Sequence, residues 1–278
     1  MEVIVAKTAG FCFGVKRAVE KVYANVDKEH VYTYGPIIHN EQVVADLEKH
    51  GVRVVEEDTD LTQLSEGTIV VRAHGAGRAE FDRLRECGMQ IEDATCPFVS
   101  KIYRIVEEES KAGRTVIIVG NAAHPEVRGI RGWSGEDTYV VGSIEEANNL
   151  NILAKNISIV SQTTFNLKKF KEIVEIFEKK GYDIKCLNTI CNATEVRQTE
   201  ARQIASQVDA MIVIGGKNSS NTQKLFEICK EECSNTYYIQ TAEDLDYTAI
   251  RGMQRIGITA GASTPKNIIE EVQTRCQI

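Results

Sequence analysis

Residues 115–126 read TVIIVGNAAHPE. Thr115–Val119 is an unbroken β-branched run closed by Gly120, with no polar residue alternating through it. Such a run reads as a strand covered on both faces, the kind found in parallel sheets. At its carboxyl end lies a polar loop holding His124 and Glu126.

The same arrangement recurs along the chain. VYTYG (31–35), TIVVRA (68–73), ISIVSQ (157–162), AMIVIGG (210–216) and RIGITAG (255–261) also read as buried strands. Amphipathic stretches lie between them. In NLKKFKEIVEIFEKKG (166–181), Ile173, Val174, Ile176 and Phe177 share one side and Gly181 supplies a stop. Strand–helix alternation predicts parallel α/β layers. The six strand-end loops carry, in turn, His39, His74, His124, Thr163, Ser219 and Ser263. Loops at the carboxyl ends of parallel strands are where α/β proteins hold ligands.

Three cysteines fall into step with these loops. FCFGVKRA, TCPFVSKI and ICNATEVR each place a cysteine, Cys12, Cys96 or Cys191, ahead of a helical run, and the spacings are 84 and 95 residues. The chain therefore reads as three similar units of about 90 residues, spanning 13–96, 97–190 and 191–278, the last joined by 1–12. The predicted fold class is α/β, with the units closing as a pseudo-threefold trefoil around a central cavity. Three cysteines and six loops would then face one another, and the glycines around Cys12 would let the backbone come close.

Composition bounds the rest. The 278 residues are 42% hydrophobic and 26% charged, as expected of a globular chain. A net charge of −7 argues against a general nucleic-acid binder. There is no apolar stretch of about 18 residues to span a membrane, and the N-terminal MEVIVAKTAGF is unlike a signal peptide. The expected compartment is the cytoplasm. Eight cysteines there read as thiols or metal ligands rather than disulfides. Cys229 and Cys233 are spaced to share a helix face, but they lie on a stripe with Leu225 and Phe226, which favours packing. Cys87 reads as a helix-end residue, and Trp133 as a lone aromatic in a glycine-rich loop.

The remaining motifs narrow the chemistry. H-x-E at 124–126 is not followed by P-C-x-x-C, so a zinc deaminase is excluded. GGKNSSNTQKL (215–225) lacks Walker spacing, yet its glycines and hydroxyls ahead of a helix suit an anion. These readings leave zinc and an iron–sulfur cluster as alternatives at the three cysteines.

Eight motifs occur in order from residue 10 to residue 263: GFCFGVKRA, GPIIHN, RAHG, DATCP, HPEV, SQTT, KNSSNT and TAGAS. Together they resemble the family of 4-hydroxy-3-methylbut-2-enyl diphosphate reductases, the last enzymes of the methylerythritol phosphate route to isoprenoids. Two departures are Ala123, where the family commonly has glycine, and the short tail after TAGAS. The resemblance implies one 4Fe–4S cluster per chain, ligated by Cys12, Cys96 and Cys191. The iron left without a protein ligand would take the substrate's terminal hydroxyl. It implies that His39, His74, His124, Ser219, Ser220, Asn221 and Ser263 surround the diphosphate, that Thr163 lies near the substrate hydroxyl, and that Glu126 donates the proton for loss of water. The implied electron donor is a ferredoxin or flavodoxin. The competing readings are a non-catalytic iron–sulfur sensor that binds a phosphorylated ligand, with no need of Glu126, and a zinc hydrolase.

Overall fold

All six apolar runs are strands in the computed structural model, which describes residues 1–64 and 66–277. In chain order the elements begin β1 (Glu2–Val5), α1 (Phe13–Tyr23), β2 (Val31–Tyr34), α2 (Glu41–Lys49), β3 (Arg53–Val55), β4 (Thr68–Val71), α3 (Arg78–Glu86) and β5 (Gln90–Asp93). Then come α4 (Pro97–Lys111), β6 (Thr115–Val119), α5 (Pro125–Trp133), β7 (Thr138–Val141), α6 (Ile144–Asn149), β8 (Asn156–Ser161), α7 (Leu167–Lys179) and β9 (Asp183–Cys186). The chain ends with α8 (Asn192–Ala205), β10 (Ala210–Ile214), α9 (Ser220–Glu232), β11 (Thr236–Ile239), β12 (Arg255–Ala260) and α10 (Lys266–Cys276).

Among the described residues the strands form three sheets of four, every pairing parallel. Their orders are β3-β2-β4-β5, β7-β6-β8-β9 and β11-β10-β12-β1. The first two share one plan: second strand, first, third, fourth. In the third sheet β10, β11 and β12 fill the first three roles and N-terminal β1 fills the fourth. In each sheet the chain reverses its winding between the adjacent first and third strands, and parallel sheets open a ligand crevice at such a switch.

The chain divides into two compact units. One comprises Met1–Lys16, Ile38–Asp46 and the chain from Asn192 onward; the other comprises Arg17–Ile37 and Leu47–Cys191. In the first, alternate residues of β10 face opposite cores. Ile212 and Ile214 pack with Ile256, Ile258, Ile269 and Val272, whereas Met211 and Val213 pack with Ala201, Leu225 and Cys229. In the second, Ile117 and Val119 meet Ile173 and Phe177 of α7, while Val116 and Ile118 meet Ile102 and Val106 of α4 and Ile130 of α5. Both faces of the central strands are thus covered, which is why their sequences are apolar throughout. Among the described residues no helix is long and apolar enough to cross a membrane.

A buried carboxylate ties α4 to the sheet beneath it. Glu109 accepts hydrogen bonds from Ser158 (2.7 Å) and Lys185, and Arg114 bonds the same Ser158 hydroxyl (3.0 Å). Burial alone would raise the Glu109 pKa, but the Lys185 and Ser158 hydrogen bonds outweigh it and hold the carboxyl below the ordinary glutamate value. This contribution is present above the unfolded pKa of 4.5 and fades as the pH falls through the lower folded value. Glu109→Ala is expected to cost about 1–3 kcal/mol at neutral pH, because it takes the acceptor from the buried Ser158 hydroxyl and from Lys185. The measurement is the urea midpoint, and the deficit should shrink in acid.

Candidate active site

The three motif cysteines are built alike. Each immediately precedes a helix: Cys12 before α1, Cys96 as N-cap of α4, and Cys191 before α8. Each donates its backbone N–H to a carbonyl two residues beyond the third strand of its own sheet. The bonds run from Cys12 to Ala262 (3.3 Å), from Cys96 to Ala73 (2.9 Å) and from Cys191 to Thr163 (3.0 Å). The fourth strand thus delivers a thiol, and the neighbouring strand's loop fixes the backbone that carries it. None of the three is in a disulfide, and all are partly exposed, at helix ends that favour negative charge. By contrast Cys229, Cys233 and Cys276 are buried in the apolar cores. Cys87 caps α3 and Cys186 ends β9. Partly exposed thiols at helix starts have the chemistry that iron–sulfur ligation asks of each donor.

The loops of the larger unit hold the ionisable groups. His124 is the N-cap of α5, with Pro125 at the first helical position. Its Nδ1 accepts from the backbone N–H of Glu126 at 3.1 Å. In a neutral imidazole that bond places the ring proton on Nε2. The ring of His74 meets that of His124 edge to face, with centroids 5.2 Å apart.

Glu126 lies in the first turn of α5 rather than in the preceding loop, and its side chain is 2% exposed. Its carboxyl is clasped by one residue. Thr163 donates its backbone N–H to Oε1 at 2.6 Å and its hydroxyl to Oε2 at 2.8 Å. Burial raises the Glu126 pKa to about 7, and the two Thr163 hydrogen bonds only partly offset it. A carboxyl of this kind holds a proton near neutrality and can release it there.

The smaller unit gathers hydroxyls. Ser219 is the N-cap of α9, its Oγ accepting from the Thr222 N–H (3.3 Å) and hydroxyl (2.9 Å). Ser263 donates to the His39 carbonyl (3.2 Å) and lies 3.4 Å from Ser219 Oγ. A Cβ on Gly216 would press on that same His39 carbonyl, so glycine permits the close approach. Ser220 opens the helix, and Asn221 is buried with no hydrogen-bond partner for Nδ2 among the described residues. A buried amide donor at a helix N-terminus is suited to an anionic ligand.

Sequence reasoning missed the support beneath His74. Tyr103 of α4 donates to the His74 carbonyl (3.2 Å) and stacks on Trp133, with ring centroids 5.5 Å apart. Trp133 closes α5 instead of lying in a loop, and its indole N–H bonds the Ala76 carbonyl at 2.9 Å. Glu57 adds a second tie, pairing with Arg72 and, at 2.8 Å, with Arg128 of α5. In sequence these residues are an aromatic on a core stripe and scattered charges, with no signal of their joint position.

The LytB protein family model matches residues 3–277. The chain belongs to the LytB family. A LytB relative from Caldanaerobacter subterraneus subsp. tengcongensis, named 4-hydroxy-3-methylbut-2-enyl diphosphate reductase, is 48% identical over 98% of this chain and 95% of its own. A relative of the same name from Geobacter sulfurreducens is 47% identical over 100% of this chain and 97% of its own. Among solved LytB structures, the E-1-hydroxy-2-methyl-but-2-enyl-4-diphosphate reductase of Plasmodium falciparum superposes with a TM-score of 0.93 at 28% identity, covering 99% of this chain and 87% of that one. A second, described as the terminal enzyme of the non-mevalonate pathway, is 42% identical with a TM-score of 0.69, covering 100% and 99%.

Proposed function

We propose that this chain catalyses the reaction its relatives are named for, the reductive removal of the hydroxyl from (E)-4-hydroxy-3-methylbut-2-enyl diphosphate. Two electrons and two protons are consumed, water leaves, and isopentenyl and dimethylallyl diphosphate are formed. The observation that carries this reading is the triple repeat of a partly exposed cysteine at a helix start, tethered to a neighbouring strand-end loop. Cys12, Cys96 and Cys191 are read as the ligands of one 4Fe–4S cluster. Residues 13–96, 97–190 and 191–278, with 1–12, are read as three units that each supply one ligand. When bound, the cluster supplies electrons singly and an iron that no side chain occupies.

The chain's own residues do the rest. His124 offers Nε2–H to the diphosphate, because Nδ1 is already engaged. His39, His74, Ser219, Ser220, Asn221 and Ser263 complete the anion's donors. Asn221 gains there the partner that its buried amide lacks. Glu126 releases its proton toward the substrate hydroxyl, so that water rather than hydroxide departs. The Thr163 hydroxyl, 2.8 Å from Glu126, orients the acid and can relay its proton. Burial of Glu126, His124 and Thr163 limits competition from bulk water. The electron donor is a ferredoxin or flavodoxin.

Anaerobic incubation of the allylic diphosphate with viologen-reduced protein tests the reading, and both five-carbon products are expected. Substrate binding without turnover would instead identify a sensor. For the diphosphate pocket, Asn221→Ala and His74→Ala are each expected to weaken competitive inhibition by inorganic diphosphate. The loss corresponds to about 1–3 kcal/mol per missing donor. Unchanged inhibition in both variants would remove them from the pocket.

A further inference from the structure

We propose that the exposed start of α4 is the docking surface for a small acidic electron-transfer protein, which delivers its electrons beside Cys96. The inference rests on the reading of Cys96 as a cluster ligand.

Eight large hydrophobic side chains are exposed among the described residues. Three of them, Phe13, Phe98 and Val196, lie on the first two turns of the three helices that follow Cys12, Cys96 and Cys191. So high a share beside the motif cysteines calls for a reason other than packing. Helix α4 makes this plain, since Val99, Ile102, Tyr103 and Val106 already give it a complete buried stripe. Phe98 stands on the other side, 45% exposed, two residues after Cys96.

The neighbours of Phe98 choose the partner. Lys101 and Arg104 follow it at helical spacing on the same exposed face. Neither pairs with a carboxylate among the described residues, whereas Arg78 and Lys111 are both paired with Glu107 farther along α4. Arg17 of α1 adds a third cation, its guanidinium donating to the Thr95 carbonyl at 3.0 Å, next to Cys96. Lys101 and Arg104, without carboxylate partners beside an exposed aromatic, are unexpected in a chain of net charge −7. Phenylalanine and arginine are enriched in protein interfaces, and a basic patch steers an acidic partner. Electron-transfer contacts are small and short-lived, so one helix face can form most of one. Each encounter passes one electron from the reduced donor to the cluster, and two encounters supply a turnover.

The test uses the full cluster-loaded chain and its double variant Lys101→Glu/Arg104→Glu, both on the surface and outside the substrate site. The probes are a reduced acidic ferredoxin and reduced methyl viologen. With ferredoxin the KM of the double variant is expected to rise about tenfold or more, and its salt dependence to flatten. With viologen, turnover should match the parent. Calorimetric titration with ferredoxin should show the same loss of affinity. Unchanged ferredoxin KM and affinity in the double variant would overturn the proposal, as would failure of the parent to bind ferredoxin. Should viologen drive no turnover even in the parent, the enzymatic reading fails instead. The titration then decides the surface alone: binding that the double variant loses upholds it, and binding it retains overturns it.

Discussion

Glu126→Gln is expected to slow turnover by about 10²–10⁴-fold, the usual cost of losing a general acid. Glutamine keeps the size of the side chain. Its amide oxygen can still accept the Thr163 N–H and its NH₂ can donate to the Thr163 hydroxyl, so the clasp at 2.6 and 2.8 Å survives. What it lacks is an acidic proton. The variant should therefore retain its iron and bind substrate yet release almost no product. In the parent enzyme kcat should fall as pH rises above about 7, where the buried carboxyl loses its proton. That limb should be absent from the residual activity of the glutamine variant.

The same group predicts a stability effect of defined sign. Below the ordinary value of 4.5 the carboxyl is protonated in both folded and unfolded chains and contributes no difference. As pH rises toward about 7 the unfolded chain ionises first, so stability falls; above about 7 the full cost of the buried charge is present. That cost is on the order of 3 kcal/mol. Glu126→Gln should thus gain stability relative to the parent between pH 5 and pH 8. A variant with near-normal turnover would take the acid role from Glu126. His124 could then serve only after giving up its Nδ1 contact with the helix.

Serine at Cys12, Cys96 or Cys191 is expected to abolish the iron signal and reduce activity to background, whereas serine at Cys229 or Cys233 should leave both in place. The distinction is physical. A metal-binding sulfur must be a thiolate. Burial pushes the Cys229 thiol up to about 12 and the Cys276 thiol up to about 11, so both stay protonated in their cores. The three motif thiols are partly exposed and stand at helix starts. Iron lost from Cys229→Ser but kept in Cys96→Ser would reverse the assignment.

The central strands were legible because both faces of β2, β4, β6, β8, β10 and β12 are covered, which forces unbroken apolar runs. Their flanking strands were harder to read. QIED of β5 lies at a sheet edge with exposed residues, and nothing local separates it from a loop. The cysteine spacing disclosed a threefold repeat. It could not disclose the N–H tethers to Ala73, Thr163 and Ala262, which exist only once strands distant in sequence are paired. His124 was legible as a strand-end histidine but not as a helix cap, since histidine is not among the favoured capping residues. Burial raises the Glu126 pKa although both Thr163 hydrogen bonds oppose the rise, and neither the burial nor the clasp has a local sequence signal. Tyr103 was invisible as a support for His74, because an aromatic on an apolar stripe reads as core until its hydroxyl finds a carbonyl.

The central claim is that three cysteines hold a redox cluster that drives loss of water from an allylic diphosphate. One anaerobic preparation, divided for iron, acid-labile sulfide and viologen-driven turnover across a series of partial reconstitutions, tests it most directly. The account predicts iron and sulfide in equal amounts, and activity that rises in proportion to them from zero in the apoprotein. Full turnover in protein containing zinc or no metal, or a fully loaded cluster with no turnover, would contradict it.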